Sequence, residues 1–131
     1  MSEKLIRDLI PSLPNPQFIS MQTRRVSNMI EHIFFLQEKE KEEYGEFLGA
    51  RTYDECSFEA ADYLEVLDTL LYFYEQNQDT SSYKLTLKNR EDFLERLMTD
   101  YEFDIEYIFR LQQQKREKKG GFLEGIIWLK D

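Results

Sequence analysis

Between Phe58 and Tyr74 the chain places apolar residues on nearly every side of a helix, and this constrains the fold more than any other feature. Phe58, Ala61, Leu64, Leu67, Leu71 and Tyr74 recur at steps of three and four and form one broad face, while Val66, Leu70 and Phe73 widen it almost all the way round. A surface helix needs a single apolar stripe; one that is apolar all round has to be covered by neighbours. Thr52 followed by Glu55 has capping-box spacing for its start, Ser57 is a second candidate start, and the pattern runs to about Asn77. Glu59, Asp62 and Glu65 form an acidic strip beside this surface, conspicuous on a helix predicted to be buried.

An earlier helix is predicted from about Ser20 to Leu48, with Gly49 as its C-cap. Its line Met29, Ile33, Leu36, Glu40, Glu43, Phe47 is an apolar stripe interrupted by two acids. Before it, "KLIRDLIPSLPNPQF" carries prolines at 11, 14 and 16 and reads as a loop or arm. After the buried helix, "QNQDTSSYKLTLKN" reads as a loop, with a short strand possible where Tyr83, Leu85 and Leu87 alternate. Asn89 is a candidate cap for a short helix to about Met98, and Thr99 with Glu102 for a final one. A seam of Leu97, Tyr101, Ile105, Ile108 and Leu111 crosses that junction, so one continuous helix is the alternative. "KKGG" ends it, with basic residues at the helix C-terminus and Gly120 or Gly121 as the left-handed cap, and the apolar tail "FLEGIIWLKD" is expected to dock. No repeat or linker is evident, so residues 1–131 are read as one all-α domain.

The 131 residues suffice for one buried core, and 41 % apolar with 15 % aromatic residues argues against disorder. A net charge of −9 disfavours a nucleic-acid polymer or an anionic membrane as partner. It leaves room for a phosphate-bearing small molecule where a bound cation reverses the local sign. Cys56 is the only cysteine, which excludes an intrachain disulfide and fits a reducing compartment. With no signal-peptide core at the N-terminus and no bilayer-length apolar run, the expected location is cytoplasmic.

Glu43 with Glu46, and Glu59 with Asp62, are acid pairs three residues apart, hence on one helix face. Two such pairs on facing helices make an all-oxygen cage of the kind Mg²⁺ or Mn²⁺ prefers. Without a cation, carboxylates about 4 Å apart repel by roughly 4 kcal/mol per contact at an effective dielectric of 20. Outward orientation into water would relieve the same repulsion.

"EEYGE", twelve residues, then "EAAD" resembles the E-E-x-x-E … E-x-x-D signature of the all-α nucleotide pyrophosphohydrolases, the superfamily of MazG-like enzymes, dimeric dUTPases and phosphoribosyl-ATP pyrophosphohydrolases. "KLIRDLIP" at Lys4–Pro11 is similar to the opening of one MazG-like subgroup, "KREKKGGFLEGIIWL" to its close, and "AADYLEVLDTL" to the run that carries the second acid pair. The resemblance spans most of the chain in order. It implies helical hairpins that form four-helix bundles, completed in a homodimer, with a tetramer as the alternative assembly. It also implies Mg²⁺, with Mn²⁺ as an alternative, held by Glu43, Glu46, Glu59 and Asp62. Glu42 would then act behind the ligands or in water activation, and Lys4, Arg7, Lys115 and Lys119 would meet the substrate phosphates. The implied reaction splits the α–β phosphoanhydride of a nucleoside triphosphate, or, less favoured, of phosphoribosyl-ATP, releasing pyrophosphate. The sequence departs from the pattern in an extra segment around residues 78–98, in Lys119 where arginine often precedes G-G-F, and in an unmatched loop after Pro11.

A helical interaction module without turnover is the competing class. His32, the only histidine, lacks the Glu-x-x-His context of a di-iron bundle and reads as a structural residue, surface or partly buried. Cys56 has no local basic partner and reads as an unreactive interhelical thiol. No phosphate-binding glycine loop or nucleophile-elbow motif is present.

Overall fold

The computed structural model describes residues 2–9 and 22–130. The prolines at 11, 14 and 16 and the expected helix start at Ser20 lie outside the described residues. In chain order the elements are β1 (Ser2–Ile6), β2 (Thr23–Arg25), α1 (Met29–Gly49), α2 (Tyr53–Gln76), α3 (Thr80–Thr99), α4 (Ile105–Lys119) and β3 (Ile126–Lys130). The protein is therefore mostly helical, with a small sheet that the all-α reading did not contain.

α2 is the hub. It packs against α1, α3 and α4, and Ala60, Ala61, Leu64, Val66, Leu67 and Leu70 are fully buried. The helix that was apolar all round is thus covered by this chain's own elements. One core joins α2 to Phe47 of α1, Phe93 and Leu97 of α3 and Ile108 and Leu111 of α4. A second joins the opposite side of α2, through Val66, Leu70 and Phe73, to Leu36, Phe122 and the sheet residues Leu5 and Ile127. Burying each such side chain contributes about 1.5–3 kcal/mol.

Several boundaries moved. α1 starts at Met29, capped by the Asn28 side chain on the amide of Glu31, and Thr23–Arg25 are strand. The helix ends at Gly49 with an extended Ala50 as C-cap, so Gly49 supplies no left-handed turn. Of the two candidate starts for α2, Thr52 is the cap. The expected loop and short strand around Tyr83–Leu87 form the first half of α3, because Asp79 caps a helix whose Thr86, Phe93 and Leu97 are buried. The Thr99 start and the continuous-helix alternative both fail: α3 stops at Thr99, Glu102 adopts positive φ, and Asp104 caps α4.

The largest difference lies at the ends of the chain. Ser2–Ile6 form a strand, the docking tail forms another, and the sheet order is β1-β3-β2, antiparallel throughout. Leu5 pairs with Ile127, both facing the core, while Lys4 pairs with Trp128 one residue out of phase. Beyond β1 the chain is stitched to the end of α4. The Asp8 and Leu9 amides donate to the carbonyls of Gly121 and Lys119, and the Asp8 carboxylate accepts from the amides of Leu123 and Glu124. Burial raises the Asp8 pKa to about 6 despite these two donors. Gly120 has φ 77°, and a Cβ there would lie 2.8 Å from the Leu9 amide nitrogen, so only glycine fits. The described part of the opening segment, residues 4–9, and the closing segment are thereby adjacent in space.

Among the described residues, no helix is long and apolar enough to cross a membrane.

Candidate metal centre

The acid pairs converge. α1 carries Glu42, Glu43 and Glu46 at one level, and α2 brings Glu59 and Asp62 to the same level because these two helices pack along their lengths. One carboxylate oxygen from each of Glu43, Glu59 and Asp62 lies within 4.8 Å of the others, and the same holds for Glu42, Glu43 and Glu46. Glu43 belongs to both triads. It sits on the interrupted stripe between Leu36 and Phe47, and its exposure is 5 %.

Glu43 is incompletely satisfied. Its Oε1 meets Lys39 Nζ at 3.3 Å, and among the described residues its buried Oε2 has no hydrogen-bond partner. The buried Oε2 of Glu59 is also without one. Burial pushes the Glu43 pKa up to about 7; Lys39 opposes this, while Asp62 and Glu46 add to it. Burial likewise raises the proton affinity of Glu46 and Glu59, and the neighbouring carboxylates add to it. An all-oxygen set with two orphaned buried oxygens and raised proton affinities is the donor chemistry that suits a hard divalent cation, so the residues present fit Mg²⁺ or Mn²⁺.

The predicted basic residues arrive at the same place, with different partners. Arg7 is buried and gives Nη2 to Asp62 Oδ1 at 2.6 Å and Nη1 to the Gly120 carbonyl at 2.9 Å. It acts as a strut between the two chain ends and α2, so a contact to substrate would require its release. Lys115 Nζ reaches the same Asp62 oxygen at 2.7 Å. Lys4 Nζ lies 2.6 Å from Glu42 Oε1, with Lys39 Nζ at 3.5 Å from that oxygen. Burial alone would raise the Glu42 pKa, but the two lysines outweigh it and the net shift is downward. Glu42 is therefore better suited to holding these ammonium groups than to capturing a proton. Lys119 is exposed on the cavity rim.

Glu43, Asp62, Lys4, Arg7, Lys39, Lys115, and Lys119 line one cavity of about 240 Å³, with Ile6, Phe122 and Trp128 as its apolar wall. Period two of the strands puts Lys4, Ile6 and Trp128 on this face. Lys39 and Trp128 escaped the sequence reading. Lys39 was legible in its spacing, one turn before Glu42 and Glu43, whereas Trp128 needed the β1–β3 register.

Glu65, the third member of the acidic strip, stands apart from both triads: Arg116 Nε spans its two oxygens at 3.2 and 2.9 Å. His32 is buried rather than superficial, its Nε2 is 2.6 Å from the Phe122 carbonyl, and burial lowers its pKa. Burial, with Glu55, raises the Cys56 pKa, in keeping with an unreactive thiol.

No protein-family model, no curated protein and no solved structure matches the chain.

Proposed function

We propose that this protein is a Mg²⁺-dependent nucleoside triphosphate pyrophosphohydrolase of the MazG-like kind, acting in nucleotide-pool cleaning. The observation that carries the reading is the buried, half-satisfied carboxylate of Glu43, which converges with Glu59 and Asp62 and, together with Asp62, lines a cavity that four lysines share. Glu43, Glu46, Glu59 and Asp62 would hold the ion. When bound, Mg²⁺ would supply neutralisation of phosphate charge and a more acidic attacking water. Mn²⁺ would serve the same role.

The chain's own residues then divide the work. Water attacks the α-phosphorus, the bond to the α–β bridging oxygen breaks, and pyrophosphate leaves with the electron pair. The proton lost by the water passes to a carboxylate of the acid cluster. Lys115 and Lys119 face the outer phosphates, Lys4 flanks them from the strand, and Arg7 fixes the Asp62 carboxylate. Glu42 orients Lys4 and Lys39. Pairing of two chains into a homodimer, with helices of both forming a four-helix bundle around the site, belongs to the same proposal.

The deciding experiment incubates the protein with Mg²⁺ and a panel of nucleoside triphosphates and follows pyrophosphate and monophosphate, beside Glu59→Gln. Pyrophosphate release lost in the variant is expected. Orthophosphate release would overturn the α–β assignment, and turnover confined to phosphoribosyl-ATP would move the substrate.

One observation favours a second reading, a scaffold without turnover: Asp62 Oδ1 already takes both Arg7 and Lys115, and Lys39 takes Glu43, so internal cations partly occupy the acids. Thermal unfolding with and without Mg²⁺ separates the two, since an ion bound only by the folded state raises the midpoint.

A further inference from the structure

We propose that the groove between β1 and α1 receives the nucleoside end of the phosphoanhydride substrate, its base against Phe34. The inference rests on the function proposed above and assigns a direction to the substrate within it.

The acid-lined cavity, at about 240 Å³, falls below the roughly 300–1,000 Å³ usual for small-molecule sites, so it has room for only part of a nucleotide. A groove of about 660 Å³ adjoins it, and Lys4 and Lys39 line both. The wall between the two spaces is therefore a pair of ammonium groups sharing the Glu42 carboxylate, at 2.6 and 3.5 Å. A phosphate chain crossing this wall meets positive charge from both strand and helix, and lysine, as a mobile point charge, can follow it.

Beyond the wall the groove changes character. Leu5, Phe34 and Phe35 form its apolar side, and Glu38 and Lys41 its polar rim. Phe34 is 53 % exposed in the second turn of α1, and its ring is held edge-on to Phe35 with centroids 5.5 Å apart. An oriented, half-exposed ring beside a cationic wall suits a base, because every base offers a face for stacking. The order along the substrate follows. The nucleoside lies on the Phe34 side, the α-phosphate at the Lys4–Lys39 wall next to Glu43, and the outer phosphates toward Lys115 and Lys119. That order places the α–β bond, rather than the β–γ bond, nearest the acids.

The test compares an uncleavable α,β-methylene nucleoside triphosphate with tripolyphosphate, which lacks the nucleoside. Binding in Mg²⁺ is followed by calorimetry and by emission of Trp128, the only tryptophan, in the acid-lined cavity. The analogue is expected to bind on the order of tenfold more tightly than tripolyphosphate, by analogy with base–aromatic stacking. Phe34→Ala should remove that advantage while leaving tripolyphosphate unchanged, and Phe34→Tyr should retain it. Equal affinities in the parent protein, an unchanged analogue affinity in Phe34→Ala, or equal weakening of both ligands would each overturn the groove assignment. If Mg²⁺ raises the unfolding midpoint in those cases, the metal centre survives; if Mg²⁺ has no effect and neither ligand binds, both proposals fall.

Discussion

Glu43 and Glu65 are both glutamates buried beside the central helix, exposed by 5 % and 4 %, yet their surroundings differ in kind. Arg116 spans both oxygens of Glu65 within 3.2 Å, and its side chain is half exposed, so the pair reaches water at one end. Glu43 has one long contact to a buried lysine, an orphaned oxygen and four acids for neighbours. The first is a completed ion pair that ties α4 to α2. The second is a site left short of positive charge. Burial of an acid is thus uninformative by itself; what distinguishes a strut from a site is whether both oxygens are satisfied by the fold.

That contrast is broken most directly at Arg116. Arg116→Ala leaves Glu65 buried without its partner and should lower stability by about 2–3 kcal/mol, below the roughly 3–5 kcal/mol of a fully buried pair because Arg116 is half exposed. Urea unfolding measures this, and no loss would mean that Glu65 is not held as described. Nearly as large is the converse effect at Glu43, where the missing partner is added. At a hundredfold excess over its dissociation constant, Mg²⁺ should stabilise the protein by about 2.7 kcal/mol, and Glu43→Gln should abolish most of that gain. An equal gain in the variant would remove Glu43 from the site.

A smaller effect concerns pH. The Glu43 pKa stands near 7 in the folded chain against an ordinary 4.5, so the folded state binds more protons in that window. Its contribution to stability is therefore present below pH 4.5 and lost as pH rises toward 7. Asp8, raised to about 6, contributes in the same direction, so the informative curve is parent minus Glu43→Gln in metal-free buffer. A flat difference between pH 4.5 and 7 would contradict the environment described for Glu43. Smallest of all, Glu43→Gln without metal should be neutral or stabilising by up to about 1 kcal/mol, because it removes a buried charge that lacks a full partner. A clear loss would make Glu43 another strut.

Much of the site was legible because helical spacing is a local property. Glu43 stood out as an acid on a line of Leu36 and Phe47, and Glu59 and Asp62 as acids on a helix with no wet side, and the structure brings these three together. The strip was legible only in part. Glu65 has the same spacing from Asp62 that Asp62 has from Glu59, and it is drawn away by Arg116, fifty-one residues along the chain. Residues 76–89, which open the extra segment, were readable as polar and turn-rich, with a short helix expected only from Asn89 to about Met98. The full helix of that segment depends on Asp79 as cap and on Phe93 and Leu97 reaching the core of α2, which propensity alone does not reveal.

By itself the sequence determined the hub helix, its need to be covered, the level at which the acids lie and the glycines that let the chain ends approach. These follow from periodicity and from backbone sterics, which act within a few residues. Only the tertiary structure decided that the two ends form a sheet, that Lys4 pairs with Trp128, and that Arg7 spends its guanidinium on Asp62 and Gly120. Strand pairing and ion pairing across the chain depend on which surfaces the helices leave open, and that is settled once the core has formed.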